Sequence, residues 1–336
     1  MKHLLCLLLL FKITQPAFAN GVLKDAQSPT FPSGLLSLGD HSRVIFVADK
    51  TRRFLRVYEF QNKRPHLVLE VPSDIGKNNG DKERENDYKT PVGIYFLQQK
   101  RTPPEIPFSL YGSIAFTTDY PNIFDQRDKK GGSGIWLHAV PDTVPLTRGS
   151  RGCVVVRDDV VKKLAQFVRL KETPIVIYDQ VEDLKQEDYD LEQKKYLTFF
   201  EEWRKAWETQ DADTYIKFYD ETFQNNQMNY SQWYNHKKKL KSQYKFIKVS
   251  LSEPLIIRNR GQVVIRTLQE YESDQHKDYG IKTIHAAYSP TSGFKIIRED
   301  WAPRGRLDTK GQATEIAAPP PRTTASEKVI GTPPTQ

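Results

Sequence analysis

Fifteen positions separate a histidine, His138, from the cysteine Cys153, and the two stand in runs of different character. His138 closes the apolar stretch Ile135-Trp136-Leu137, which has the composition of a strand. Cys153 follows Ser150-Arg151-Gly152 and precedes Val154. A cysteine attacks as its thiolate, and a neighbouring imidazole lowers the thiol pKa and holds the proton for a leaving group. A strand end and a returning loop can bring such a pair together. Gly152 permits close backbone approach, and the amides of Gly152 and Cys153 are candidates to face a developing oxyanion. The chemistry this pattern offers is nucleophilic attack on a carbonyl carbon.

A lone cysteine in an apolar strand is by default a small buried hydrophobe. Here the compartment argues for more. Lys2 is followed by the apolar run Leu4 to Phe11 and then by Ala17-Phe18-Ala19, the pattern of a secretory leader over residues 1–19. The only other cysteine, Cys6, lies inside that leader, so the mature chain carries a single thiol into a compartment where thiols are normally paired. No segment approaches the roughly 20 apolar residues of a membrane span. The formal charge of +8 falls to +6 when Lys2 and Lys12 of the leader are removed. A basic exported protein favours anionic surfaces such as a carboxylate-rich cell wall, and nucleic acid is not expected as a partner there.

The elements that must position the pair are mostly strands. Val44 to Val47, Phe54 to Phe60 and Leu67 to Val71 alternate with charged turns. The polar segment 76–89, GKNNGDKERENDYK, has no apolar period and reads as a surface loop leading into Thr90-Pro91-Val92-Gly93 and a strand over Ile94 to Leu97. A helix is expected within Val160 to Leu170 and a closing strand at Pro174 to Tyr178. The acidic stretch Val181 to Asp190 marks a boundary. Beyond it Tyr196, Phe200, Trp203 and Trp207 fall at helical spacing, a short helix follows near Tyr215 to Phe223, and four strand-like runs cover Lys245 to Ile257, Gln262 to Tyr271, Ile281 to Tyr288 and Phe294 to Trp301. Helices followed by strands give an α+β domain. The organisation is therefore leader 1–19, catalytic domain 40–180, second domain 191–302 and a Pro- and Thr-rich disordered tail 303–336.

The order Thr-Pro-x-Gly-x-Tyr, then His, a spacer and Ser-x-Gly-Cys followed by an apolar residue resembles the LD-transpeptidase catalytic domain of the YkuD type, over roughly Arg43 to Tyr178. The resemblance implies a β-rich sandwich in which Cys153 attacks the carbonyl of a diamino acid's L-centre in a peptidoglycan stem, releases the terminal D-alanine and forms a thioester. It makes His138 the general base, with the carbonyl of the following residue, Ala139, orienting the imidazole. Two positions depart from the family pattern: Ala139 stands where glycine is usual, and Arg151 where many members carry a second histidine. Arg151 is then a candidate for pairing with a stem carboxylate. Ser150 and Trp136 are further candidates at the substrate. Trp203, Trp207, Asp211, Tyr215, Tyr219 and Phe223, followed by strands, are similar to an NTF2-like cone. The combination resembles LD-carboxypeptidases that set cell shape in curved and helical bacteria, in which water resolves the thioester.

The expected fold is thus a β-rich LD-transpeptidase-type sandwich plus a smaller α+β NTF2-like cone that serves binding, placement or pairing of two copies as a homodimer. The expected activity is a cysteine LD-carboxypeptidase of the periplasm or cell envelope acting on stem peptides. Two rivals stand: an LD-transpeptidase that passes the same thioester to an amine, and a non-catalytic wall-binding scaffold. His41, His66, His236, His276 and His285 show no metal-ligand spacing, and neither metal nor cofactor is expected. The lysine-rich run from His236 to Lys245 reads as a solvated face.

Overall fold

In the strand Ile45–Asp49 all five residues are buried, a pattern open only to a strand covered on both faces. Phe46 and Ala48 point into one core, and Ile45 and Val47 into another. That double burial organises the molecule. The computed structural model describes residues 29–304 other than 41, 148, 226 and 290. The leader, His41 and nearly all of the tail lie outside the described residues.

The chain opens with β1 (Thr30–Pro32) and β2 (Leu35–Leu38), then enters the catalytic half through β3 (Ile45–Asp49), β4 (Phe54–Gln61), β5 (Arg64–Pro72) and β6 (Gly93–Arg101). A one-turn helix α1 (Phe108–Tyr111), β7 (Ala115–Thr118), α2 (Ile123–Arg127), β8 (Trp136–Val140), β9 (Val154–Arg157), α3 (Asp158–Leu164) and β10 (Pro174–Tyr178) complete it. The eight strands form one sheet in the order β5-β4-β3-β10-β6-β7-β8-β9. Its pairs are antiparallel except for β3 with β10 and β8 with β9. The inner core gathers Phe46, Val57, Tyr95, Leu97, Phe116, Leu137, Val154, Val156 and Ile175 with Val161 and Leu164 of α3. The helix expected over Val160 to Leu170 stops at Leu164, and its remainder is turns closed by Arg169 N–H on Thr173 Oγ1 at 2.8 Å.

After β11 (Asp183–Lys185) comes the helix α4 (Gln186–Glu208), so the acidic stretch Val181 to Asp190 is not a bare linker: it is a strand and the first turn of a helix whose Tyr189 is fully buried. Then follow α5 (Ala212–Tyr215), a 3₁₀ turn at Ile216–Phe218, α6 (Tyr230–Gln243) and the strands β12 (Ile247–Leu251), β13 (Leu255–Asn259), β14 (Gln262–Ser273), β15 (Lys277–Ser289) and β16 (Gly293–Pro303). The expected strand Lys245 to Ile257 is two strands, broken at Pro254, which carries no amide N–H for a ladder. The predicted aromatic stripe of α4 lies against the sheet, with Tyr196, Phe200, Trp203 and Trp207 packed on Val263, Ile265, Ile284 and Ile296. The lysine-rich run belongs to α6, and it is not wholly solvated: the Lys237 ammonium sits 4.4 Å from the Trp233 ring centre, 4.9 Å from Trp207 and 5.0 Å from Tyr215. Burial there pushes the Lys237 pKa down to about 7.

The second sheet runs β16-β15-β14-β13-β2, with β12 also on β14. Its last strand comes from the opposite end of the chain: Leu38 pairs with Leu255 and Ser37 with Ile256. β1 pairs with β11, and the Leu36 carbonyl accepts from Gln193 of α4 at 2.6 Å. Leu35, Leu38, Leu255, Ile257, Val264 and Ile297 then meet Ile45, Val47, Ile94, Phe96 and Val176 in a shared core between the two sheets. Each such aliphatic or aromatic side chain contributes about 1.5–3 kcal/mol on burial.

Candidate active site

Register places the pair. β8 and β9 run parallel with His138 opposite Val155, and Cys153 stands immediately before Val154, the first residue of β9, at the end of the turn that leads into it. His138 and Cys153 line one open cleft of about 450 Å³ with Asp74, Leu110, Tyr111, Val140, the segment 144–147, Gly149, Ser150, Arg151 and Val155. The crossover from β8 to β9 forms one wall and α1 the opposite lip.

His138 is buried, and its Nδ1–H donates to the carbonyl of Ala139 at 2.8 Å. That bond fixes the tautomer and leaves the lone pair on Nε2, the nitrogen able to take a proton. Burial lowers the imidazole pKa, with the Ala139 bond acting the other way. The Cys153 sulfur is 3.6 Å from the Gly134 carbonyl oxygen, and burial pushes its pKa up to about 11 against a lowering contribution from the Trp136 amide. The resting pair is therefore neutral thiol and neutral imidazole, and the base must act as the sulfur attacks.

The elbow carrying Cys153 is held from within. Ser150 Oγ donates to the Cys153 carbonyl at 2.8 Å and accepts from Gly152 N–H at 3.1 Å. The serine hydroxyl expected at the substrate is thus committed to the turn, and the Gly152 amide expected at an oxyanion is spent on it. Gly152 has φ +128°, and a Cβ there would lie 2.7 Å from the Lys89 carbonyl. Asp74 braces the same elbow: its carboxylate accepts from Gly149 N–H at 3.2 Å and from Arg53 at 2.5 Å, while its backbone exchanges bonds with Val155 at 2.7 and 2.8 Å. Arg151 is exposed at the cleft. Trp136 is half-buried, its ring 5.2 Å from Tyr111 and 5.7 Å from the Arg101 guanidinium.

Tyr111 escaped the sequence reading. Its ring stands edge-on to His138 at 5.0 Å from a single-turn helix that no periodicity marks. Asp74 was equally silent. The Thr90-Pro91-Val92-Gly93 turn is where expected: the Thr90 hydroxyl is fully buried and accepts from Gly76 N–H at 2.7 Å, and Val92 N–H donates to Asp81 at 2.8 Å. Asp81 also meets Lys130 at 3.0 Å and Arg260 of the β13–β14 turn at 3.3 Å, tying the second domain to the rear of the site.

Comparison with known proteins agrees with this architecture. Residues 42–177 match the model of the L,D-transpeptidase (YkuD) catalytic domain, and residues 195–300 that of the Cds6 C-terminal NTF2-like domain. The structure of Bd1075 from Bdellovibrio bacteriovorus is 51% identical, covers 83% of this chain and 100% of its own, and superposes with a TM-score of 0.76. The chain belongs to the L,D-transpeptidase family. The helical cell shape determining protein Pgp2 from Campylobacter jejuni is 28% identical over 80% of this chain and 95% of its own, with a TM-score of 0.63. No curated protein matches the sequence. The family acts on peptidoglycan peptides, and among the described residues no helix is long and apolar enough to cross a membrane.

Proposed function

We propose that the protein is an exported L,D-carboxypeptidase that trims peptidoglycan tetrapeptide stems to tripeptides, with Cys153 as nucleophile and His138 as base. The observation that carries the reading is the convergence of His138 of β8 and Cys153, just ahead of β9, on a common cleft. His138 Nε2 takes the thiol proton as sulfur bonds to the carbonyl carbon of the diamino acid's L-centre. The Cys153 amide, not that of Gly152, faces the oxyanion. As the C–N bond breaks, the imidazolium returns its proton to the amine of the departing D-alanine. Water, deprotonated by His138, then forms a C–O bond to the thioester carbon, the C–S bond breaks and the thiol is restored.

An open cleft supports water as the acceptor: Leu110 and Val144 on its two lips are 60% and 39% exposed. Arg151 beside the nucleophile suits the stem's terminal carboxylate, which a guanidinium binds bidentately. The leader and the basic charge support action in the periplasm or cell envelope. The likeness to Pgp2 supports a role in cell shape.

Incubation with purified tetrapeptide muropeptides and mass spectrometry of the products tests this. Loss of one alanine, abolished in Cys153→Ala, is the expected result. Crosslinked dimers in place of tripeptides would transfer the assignment to a transpeptidase, and turnover surviving in Cys153→Ala would remove the nucleophile.

A further inference from the structure

The polar loop 76–89 hides a buried ion pair that the chemistry above leaves unused. Lys82 is 3% exposed, and its Nζ donates to Asp87 Oδ1 at 2.7 Å and to the Arg84 carbonyl at 3.1 Å. Asp87 spreads its charge further, accepting from the amides of Glu83 at 2.9 Å, Arg84 at 3.1 Å and Lys89 at 3.1 Å, which holds its carboxyl well below the usual range. Lys82 has only two protein partners among the described residues for three N–H donors. A buried ammonium incompletely paired is costly, so its position calls for a reason beyond holding a loop.

The loop grips the nucleophile's surroundings from two sides. Gly131 N–H donates to the Glu83 carbonyl at 2.8 Å, and the Lys82 stem lies against Gly132, where a Cβ would be 3.3 Å from Lys82 Cε. Two residues on, the Gly134 carbonyl faces the Cys153 sulfur. On the other flank the Lys89 carbonyl fills the space beside Gly152, and Lys77 N–H donates to the Ser150 carbonyl at 2.9 Å. The Lys82 stem thus lies against the segment 132–134 whose Gly134 carbonyl meets the sulfur, and a positive charge held there opposes the effect of burial on the thiol.

We propose that Lys82 is a positioning residue for the nucleophile: from the loop wrapped around the elbow, its ammonium stabilises the negative charge that gathers on Cys153 as the thiol ionises. The inference rests on Cys153 being the nucleophile, but its readout is the thiol itself and not turnover. The sign separates it from a structural role. Removing the charge raises the thiol pKa, whereas merely loosening the loop admits water, relieves desolvation and lowers it.

The test is the rate at which iodoacetamide alkylates Cys153 in the full chain at pH 8.5, followed at the Cys153 peptide by mass spectrometry, for Lys82→Met, Lys82→Arg and the double variant Lys82→Met/Asp87→Asn. The double variant leaves no unpaired buried charge, so it keeps the question open to measurement if Lys82→Met fails to fold. The expected result is a fall of about tenfold in both methionine variants, the equivalent of one pKa unit, with Lys82→Arg close to the parent. Unchanged or faster alkylation in the methionine variants overturns the proposal, as does an arginine variant as slow as methionine. Failure of Cys153→Ala to abolish D-alanine release, with the alkylation shifts intact, would overturn the nucleophile assignment and not the field of Lys82.

Discussion

Replacing Gly152 by alanine tests whether the elbow, and not the cleft as a whole, sets reactivity. At φ +128° an L-residue is strained by about 1–3 kcal/mol. The new methyl would also lie 2.7 Å from the Lys89 carbonyl oxygen and 2.9 Å from Ile135 Cδ1. The isoleucine can rotate, but the carbonyl is backbone, so overpacking adds about 1–3 kcal/mol. The chain can relieve these terms by tilting the turn away from Lys89, which moves the adjacent sulfur relative to His138. Gly152→Ala is therefore expected to lose about 2–4 kcal/mol in urea denaturation and to lose turnover by roughly a hundredfold, the usual penalty for an ångström of misplacement. D-alanine release and unfolding midpoints on the same samples give both numbers. A variant with unchanged turnover and midpoint would refute the claim that the Lys89 contact holds the nucleophile.

Ser150→Ala removes both bonds of the elbow hydroxyl and is expected to lower turnover by more than tenfold for a stability loss of about 1–2 kcal/mol, with Ser150→Thr recovering part of the turnover. Ile257→Ala hollows the core shared by the two sheets and should destabilise the whole chain by about 2–5 kcal/mol in a single calorimetric transition. His285 lies 3.7 Å from Asp300, yet burial holds its pKa down at about 4, so it is neutral in the fold at neutral pH. The unfolded chain binds the proton near pH 6.5, so stability is complete above that value and is lost as pH falls from about 6.5 to 4, by up to roughly 3 kcal/mol. Urea midpoints across that window should decline less steeply in His285→Gln.

The parts legible in sequence were those that local chemistry dictates. Cys153 after Ser150-Arg151-Gly152, the strand carrying His138, the Thr90 to Gly93 turn and the aromatic spacing of α4 all announce themselves within a few residues, although His138 lies at the middle of β8 and not at its end, because the strand runs on through Ala139 and Val140 to pair with β9. What stayed hidden depends on partners far along the chain. Four residues, Leu35 to Leu38, carry no sign that they pair with β13, because a strand's partner is set by tertiary packing. Lys82 and Asp87 sit in a run with no apolar period, and their burial follows from pairing with each other, which hydropathy cannot register. Lys237 looked solvated for the same reason: its ammonium is covered by rings contributed from α4, α5 and α6.

The pairing of β2 with β13 also sets an order of assembly. The registered residues Leu38 and Leu255 are 217 positions apart, so one of the first strands synthesised must wait, unpaired, until three quarters of the chain exists. Contacts of such sequence separation are slow to form. During that interval the catalytic sheet can complete itself while β2 stays unpaired, and without β2 the strand β13 would present a bare edge of the kind that recruits foreign strands. A fragment cut at the apparent boundary between the domains would keep that edge permanently, which makes the N-terminal strand a built-in guard against aggregation of the accessory domain.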